Sequence, residues 1–100
     1  MKKYMLLYKG PATPPGASHE KWPAWFSKLG DQLVDIGSPM QNGHVLQNDG
    51  STTNSATSFN GYSIIQSTNI EAVISLLRDH PFLALGSDAY SIEIFELPKK

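Results

Sequence analysis

The chain has 100 residues, the length of one domain over residues 1–100, and a chain this size buries roughly 60–70% of its unfolded surface without needing covalent staples. Forty per cent of its residues are hydrophobic, and eight Lys and Arg against nine Asp and Glu leave a formal net charge of −1. That balance excludes the clustered basic surface nucleic acid requires, and the absence of cysteine excludes disulfides and thiolate chemistry, as expected of a cytoplasmic protein.

Met1-Lys2-Lys3 begins like the basic region of a signal peptide. The apolar run that follows, Tyr4-Met5-Leu6-Leu7-Tyr8, is too short for a signal core and far too short to span a bilayer, so no membrane partner is expected. Apolar at every position and stopped by Lys9-Gly10-Pro11, it reads as a central strand covered on both faces. Residues 10–17, rich in Pro and Gly, form a loop, either a lid beside a site or a passive surface connection.

Ser18 is placed to cap a first helix, with Glu20 near its positive end. Trp22, Trp25, Phe26, Leu29, Leu33 and Ile36 recur at spacings of three and four, one apolar stripe of that helix. Pro23 belongs to its first turn. Gly30 is an interior weakness marking close approach to the sheet, and Gly37 is the C-terminal cap before Pro39. His44-Val45-Leu46-Gln47 reads as a modest second strand. Residues 48–58 are polar and read as a mobile hairpin connection to a third strand centred on Gly61-Tyr62-Ser63-Ile64-Ile65-Gln66. Thr68 or Asn69 caps a second helix, Glu71 lies in its first turn, and Ile70, Val73, Ile74 and Leu77 form its buried face. That helix ends near Asp79, ahead of Pro81. Residues 82–87 form a second apolar-then-Gly connection. Residues 90–97 alternate with period two and form the clearest strand, ended by Pro98.

The order strand, helix, strand, strand, helix, strand predicts an α+β class, ferredoxin-like β-α-β-β-α-β sandwich. It has a four-stranded antiparallel sheet, both helices on one face, and the first and third strands at the centre. The other face has no helix to cover it. Tyr4, Leu6 and Tyr8 are expected on that open face, where a second copy would cover them across a two-fold axis. A homodimer through the open sheet face is therefore expected.

Five stretches carry a resemblance. They are the opening Lys3-Tyr4-Met5-Leu6-Leu7-Tyr8; Leu29-Gly30-Asp31-Gln32-Leu33 with Gly37; the strand Gly61-Tyr62-Ser63-Ile64-Ile65; the pair His80-Pro81; and Ile92-Glu93-Ile94 with Glu96. In this order and spacing, over essentially the whole chain, they resemble the YCII-related family, its DGPF-type branch most of all. The resemblance implies a dimeric α+β barrel built from ferredoxin-like protomers. Some relatives carry a His on the first helix and an Asp beside a Pro after the second. Here Pro23-Ala24-Trp25 stands where Pro-Ala-His would be, and His80-Pro81-Phe82 stands where Asp-Pro-aromatic would be. The location carries over and the His–Asp pair does not.

The remaining chemistry centres on His80 at the end of the second helix. The helix dipole there favours the charged imidazole, which would serve as general acid or base or as an anion contact. The plainer reading is a histidine capping the last helical carbonyls. Asp31 is a candidate to orient His80, or else an exposed helix carboxylate. Trp22 and Trp25, three apart, form either core or the stacking wall of a small-molecule pocket. His19 and His44 read as exposed. The three His have no metal-ligand spacing, there is no nucleophile signature, and the Gly-rich loop lacks a phosphate-binding Lys-Ser/Thr step, so no cofactor and no metal is expected. Two readings follow. One is a cofactor-independent enzyme in which His80 moves a proton and Trp25 holds a flat or carbonyl-bearing substrate. The other is a non-catalytic dimeric binding module using the same cleft for a small-molecule ligand.

Overall fold

In the computed structural model the described residues are 1–10, 21–55, 59–80, 83 and 90–99. The loop expected over 10–17 falls outside them beyond Gly10, as do the Ser18 cap, His19, most of the connection over 82–87 and residues 56–58 of the hairpin connection.

The elements run β1 (Lys2–Lys9), α1 (Lys21–Leu29), a 3-10 turn (Gly30–Gln32), β2 (Leu33–Pro39), β3 (His44–Leu46), β4 (Thr52–Asn54), β5 (Phe59–Ser67), α2 (Ile70–Leu77) and β6 (Ser91–Leu97). Four strands form one antiparallel sheet in the order β2-β5-β1-β6, which is the ferredoxin-like arrangement with β1 and β5 central. β3 and β4 form a separate two-stranded hairpin.

The first helix is shorter than its apolar spacing predicts. Gly30 adopts φ +55° with open space where a Cβ would stand, so it ends α1 by turning left-handed rather than by approaching the sheet. Leu33 and Ile36 consequently belong to β2, the second strand of the sheet, and His44–Leu46 moves into the hairpin. Helical spacing and strand alternation coincide over so few apolar residues, and the chain direction change at Gly30 decides between them. Gly37 is therefore no helix cap. It sits inside β2 at φ +80°, within the register shift between Asp35 and Ser38 where the strand bulges against β5.

α2 begins at Asn69, whose Oδ1 accepts from the Ala72 N–H at 2.8 Å. Its buried face is narrower than expected. Val73 and Leu77 are fully buried, whereas Ile70 and Ile74 are exposed at the rim of the helix.

The core lies between the helices and one sheet face. It gathers Tyr4, Leu6, Tyr8 and Ile65 from the sheet, Trp25, Phe26 and Leu29 from α1, and Val73 and Leu77 from α2. This overturns the expected facing of β1. Tyr4, Leu6 and Tyr8 lie beneath the helices, at 3% exposure or less, and none is on the open face. A strand that is apolar at every position gives no alternation from which to read its parity, and the wrong parity moves every side chain to the opposite face. The open face carries Met5 and Leu7 opposite Ile64 and Tyr62, with Met5 also opposite Phe95. These remain half-buried by one another, and Phe95 is exposed.

Candidate functional site

At one end of the sheet three elements converge on His80. The second helix stops at Leu77, and the chain then turns so that the His80 backbone N–H donates to the Leu77 carbonyl at 3.0 Å. The main chain thus does the capping that the side chain was a candidate for. The imidazole instead turns inward and is 1% exposed. Its ring centroid lies 4.1 Å from Trp25, 4.7 Å from Trp22 in an edge-on arrangement, and 5.1 Å from Tyr8.

α1 supplies both tryptophans because residues three apart share a helical face. Trp25 is buried in the core, whereas Trp22 remains partly exposed, edge-on to Tyr8 at 5.0 Å. Phe26 continues the cluster, 5.3 Å from Trp25 and 6.0 Å from Trp22.

Burial decides the electrostatics. Removing water from the imidazole disfavours its charged form and brings its pKa down to about 3. The helix-terminus effect expected to favour the cation is smaller than this desolvation, so His80 is a neutral imidazole at physiological pH. Burial also pushes the Tyr8 hydroxyl up to about 12, partly offset by its bond to Ser63. The Tyr8 hydroxyl donates to Ser63 Oγ at 2.8 Å, and Ser63 Oγ donates to the Ile36 carbonyl at 2.7 Å. This chain ties the aromatic cluster to the bulge in β2.

Of the residues singled out from sequence, Trp22, Trp25 and His80 come into contact. Asp31 does not join them. It stands exposed in the 3-10 turn, its carboxylate bonds no described residue, and its backbone carbonyl accepts from Gln66 Nε2 at 2.6 Å. Tyr8 and Ser63 belong to the same environment and were not foreseen. Tyr8, at the end of β1 just before Gly10-Pro11, is expected from sequence on the open sheet face and not at the site, and Ser63 carries no sequence signal apart from being polar in a central strand.

Two surface hollows lie elsewhere. One of about 560 Å³ is at the root of the β3–β4 hairpin, beside Met40, His44, Asn54 and Phe59. The other, about 200 Å³, lies between α2 and β6 beside Ile74, Arg78 and Ile94. Neither is lined by Tyr8, Trp22, Trp25 or His80, although the second is lined by Leu77 and Leu83, which hydrogen-bond the His80 main chain. The cluster, unlike either hollow, holds a titratable ring among aromatic side chains. Among the described residues no group of three or more His, Cys, Asp or Glu is placed to hold a metal ion. Among them too, no helix is long and apolar enough to cross a membrane.

No family model matches the chain, and no curated protein matches it. Among solved structures, its fold is similar to that of 5-chloro-2-hydroxyhydroquinone dehydrochlorinase (TftG) from Burkholderia phenoliruptrix AC1100, in complex with 2,5-dihydroxybenzoquinone. The TM-score is 0.56 at 16% sequence identity, over 91% of this chain and 90% of that one. The likeness is one of fold. It supports the ferredoxin-type α+β assignment reached from the strand order.

Proposed function

We propose that this chain is a YCII-related protein that binds a small planar molecule at the Trp22–Trp25–His80 end of its sheet. The observation that carries the reading is the neutral His80 imidazole held in contact with two tryptophans, one of them partly exposed. An aromatic wall with one neutral hydrogen-bonding ring suits a flat ligand bearing oxygen substituents. The dihydroxybenzoquinone bound by the protein of similar fold belongs to that class. Trp22 offers the accessible edge for stacking, and His80 stands behind it in a dry setting.

A catalytic form of the same reading is a cofactor-independent enzyme in which His80 accepts a proton and Asp31 orients it. An imidazole with a pKa near 3 is a weak base, and Asp31 makes no contact with it, so binding without proton transfer is the form the geometry favours. Isothermal titration with 2,5-dihydroxybenzoquinone as the probe tests this. Wild-type protein is expected to bind it, and Trp22→Ala to bind about tenfold more weakly, the worth of one aromatic stack. Binding equal in the two proteins, or absent from the wild type at millimolar probe, overturns the reading.

The proposal includes a cytoplasmic homodimer formed through the open sheet face. Support comes from Met5, Leu7, Ile64 and Phe95, which lie on the side of the sheet opposite both helices. Lys9 and Glu93 at its margin pair at 3.4 Å. Sedimentation equilibrium is expected to give a dimer at micromolar concentration and a monomer for Ile64→Glu. A monomeric wild type would remove this part of the proposal.

A further inference from the structure

We propose that Asn42 is a site of spontaneous self-modification, where the chain converts its own side-chain amide to a carboxylate at the root of the β3–β4 hairpin. Three glycines in the chain follow an Asn or Asp: Gly43 after Asn42, Gly50 after Asp49 and Gly61 after Asn60. In each pair the glycine nitrogen can close a succinimide ring on the preceding side chain, because no Cβ stands in its path. The linear chain does not choose among the three, and the structure does.

At Asp49 both reacting groups are occupied. The Gly50 N–H donates to the Gln47 carbonyl at 3.0 Å, and the Asp49 carboxylate accepts from the Ser51 N–H at 2.9 Å and the Ser51 hydroxyl at 2.7 Å. An ionised carboxylate is also a poor target for attack. At Asn60 the sheet holds both groups. Asn60 Nδ2 donates to the Gly10 carbonyl at 3.1 Å, and Gly61 is buried in β5, paired with Tyr8 of β1 on one side and Pro39 of β2 on the other. Attack there requires β5 to leave the middle of the sheet, an opening close to global unfolding.

Asn42 lies outside any strand ladder. It is exposed between β2 and β3 at φ +57°, the one non-glycine residue among those described with a left-handed backbone. Among the described residues nothing bonds the Asn42 side chain or the Gly43 N–H, although the Gly43 carbonyl accepts from the Ser55 N–H at 2.9 Å. A Cβ at 43 would stand 2.9 Å from the Cβ of Ser55, so packing requires at that position the residue that leaves the path of attack open. Reaction needs only a local fluctuation of an exposed turn. The Gly43 nitrogen bonds to Asn42 Cγ and the Cγ–Nδ2 bond breaks. Ammonia leaves with the proton that the Gly43 nitrogen gives up, and a succinimide remains. Water then opens the ring at either carbonyl, giving aspartate, or isoaspartate in which the main chain runs through the former side chain. Nothing is oxidised or reduced. The hollow that Asn42 lines with His44, Asn54 and Phe59 has no Lys, Arg, Asp or Glu among its described residues, and it gains a negative charge.

The experiment incubates the full chain in warm neutral buffer, separates its forms by ion exchange and maps each form by peptide mass spectrometry. A more acidic form is expected to accumulate, carrying aspartate or isoaspartate at 42. Change at 49 and 60 is expected to be at least about tenfold slower, the difference between opening a turn and opening the sheet. In urea, with the structure lost, conversion at 42 and 60 is expected to become similar. Asn42→Gln is expected to keep its fold by circular dichroism and to lose the early acidic form. An acidic form that retains Asn42 overturns the proposal. So does a folded protein that converts 42 and 60 in the same ratio as the urea-unfolded chain. A folded Asn42 still intact after the unfolded chain has converted overturns it as well. These readings come from the wild type and stand whether or not the glutamine variant folds.

Discussion

Acidification from pH 7 to pH 4.5 is expected to remove up to about 2.5 kcal/mol of folding stability through His80 alone, and the His80→Gln variant is expected to lack that share of the loss. In the unfolded chain the imidazole titrates near its ordinary value of 6.5, and in the folded chain burial holds it near 3. Between those values the unfolded state binds one proton more than the native state. The contribution is thus fully present above pH 6.5 and declines as pH falls toward 3. Carboxylates add their own acid dependence, so the quantity to read is the difference in slope between wild type and His80→Gln, from urea melts across that range. Equal slopes would mean that the native imidazole takes up protons freely, and the dry aromatic setting argued for the site would be wrong. Tyr8 gives the mirror image on the alkaline side. Its raised pKa, about 12 against 10, makes stability decline as pH rises above 10, because the unfolded chain then releases the phenolic proton first.

Gly37→Ala is expected to destabilise the protein by at least about 2 kcal/mol, well beyond the roughly 1 kcal/mol expected for Gly30→Ala. Both glycines have positive φ, so both substitutions carry conformational strain. They differ in what a Cβ would meet. At Gly30 there is open space, whereas at Gly37 the atom would stand 1.7 Å from the Tyr62 carbonyl oxygen and 2.6 Å from its carbon. Those are backbone atoms of the neighbouring central strand and have no rotamer through which to yield. Relief requires β2 to part from β5, which displaces the Ile36 carbonyl from Ser63 and loosens the support of the Tyr8 hydroxyl. The loss in thermal and urea stability is therefore expected to come with a change in the near-ultraviolet circular dichroism of the Tyr8–Trp22–Trp25 cluster. Equal stabilities for the two alanine variants would show that the bulge at Gly37 is not as tight as described.

Both expectations depend on features that the linear chain displays unequally. The strand-helix order was legible because each half has its own punctuation: Gly10-Pro11 after β1, Asn69 before α2, Pro98 after β6. The exchange of helix for strand over Leu33–Pro39 was hidden because the apolar residues Leu29, Leu33 and Ile36 fit a helical stripe, and only the left-handed turn at Gly30 breaks it. Trp22, Trp25 and His80 were visible as chemically distinctive residues at the end of two helices. Tyr8 and Ser63 joined them through pairing across 55 positions, a separation no local pattern encodes.

The sequence by itself determined the class of fold, the central place of β1 and β5 and the residues from which a site could be built, because these follow from local periodicity, turn chemistry and the handedness of crossovers. Tertiary structure alone decided which face of β1 is buried and that His80 is neutral. Side-chain parity in an all-apolar strand is set by what packs against it, with Tyr4, Leu6 and Tyr8 drawn beneath the helices. Likewise, the charge of an imidazole is set by the water removed from around it, and that water is excluded by rings contributed from α1 and β1.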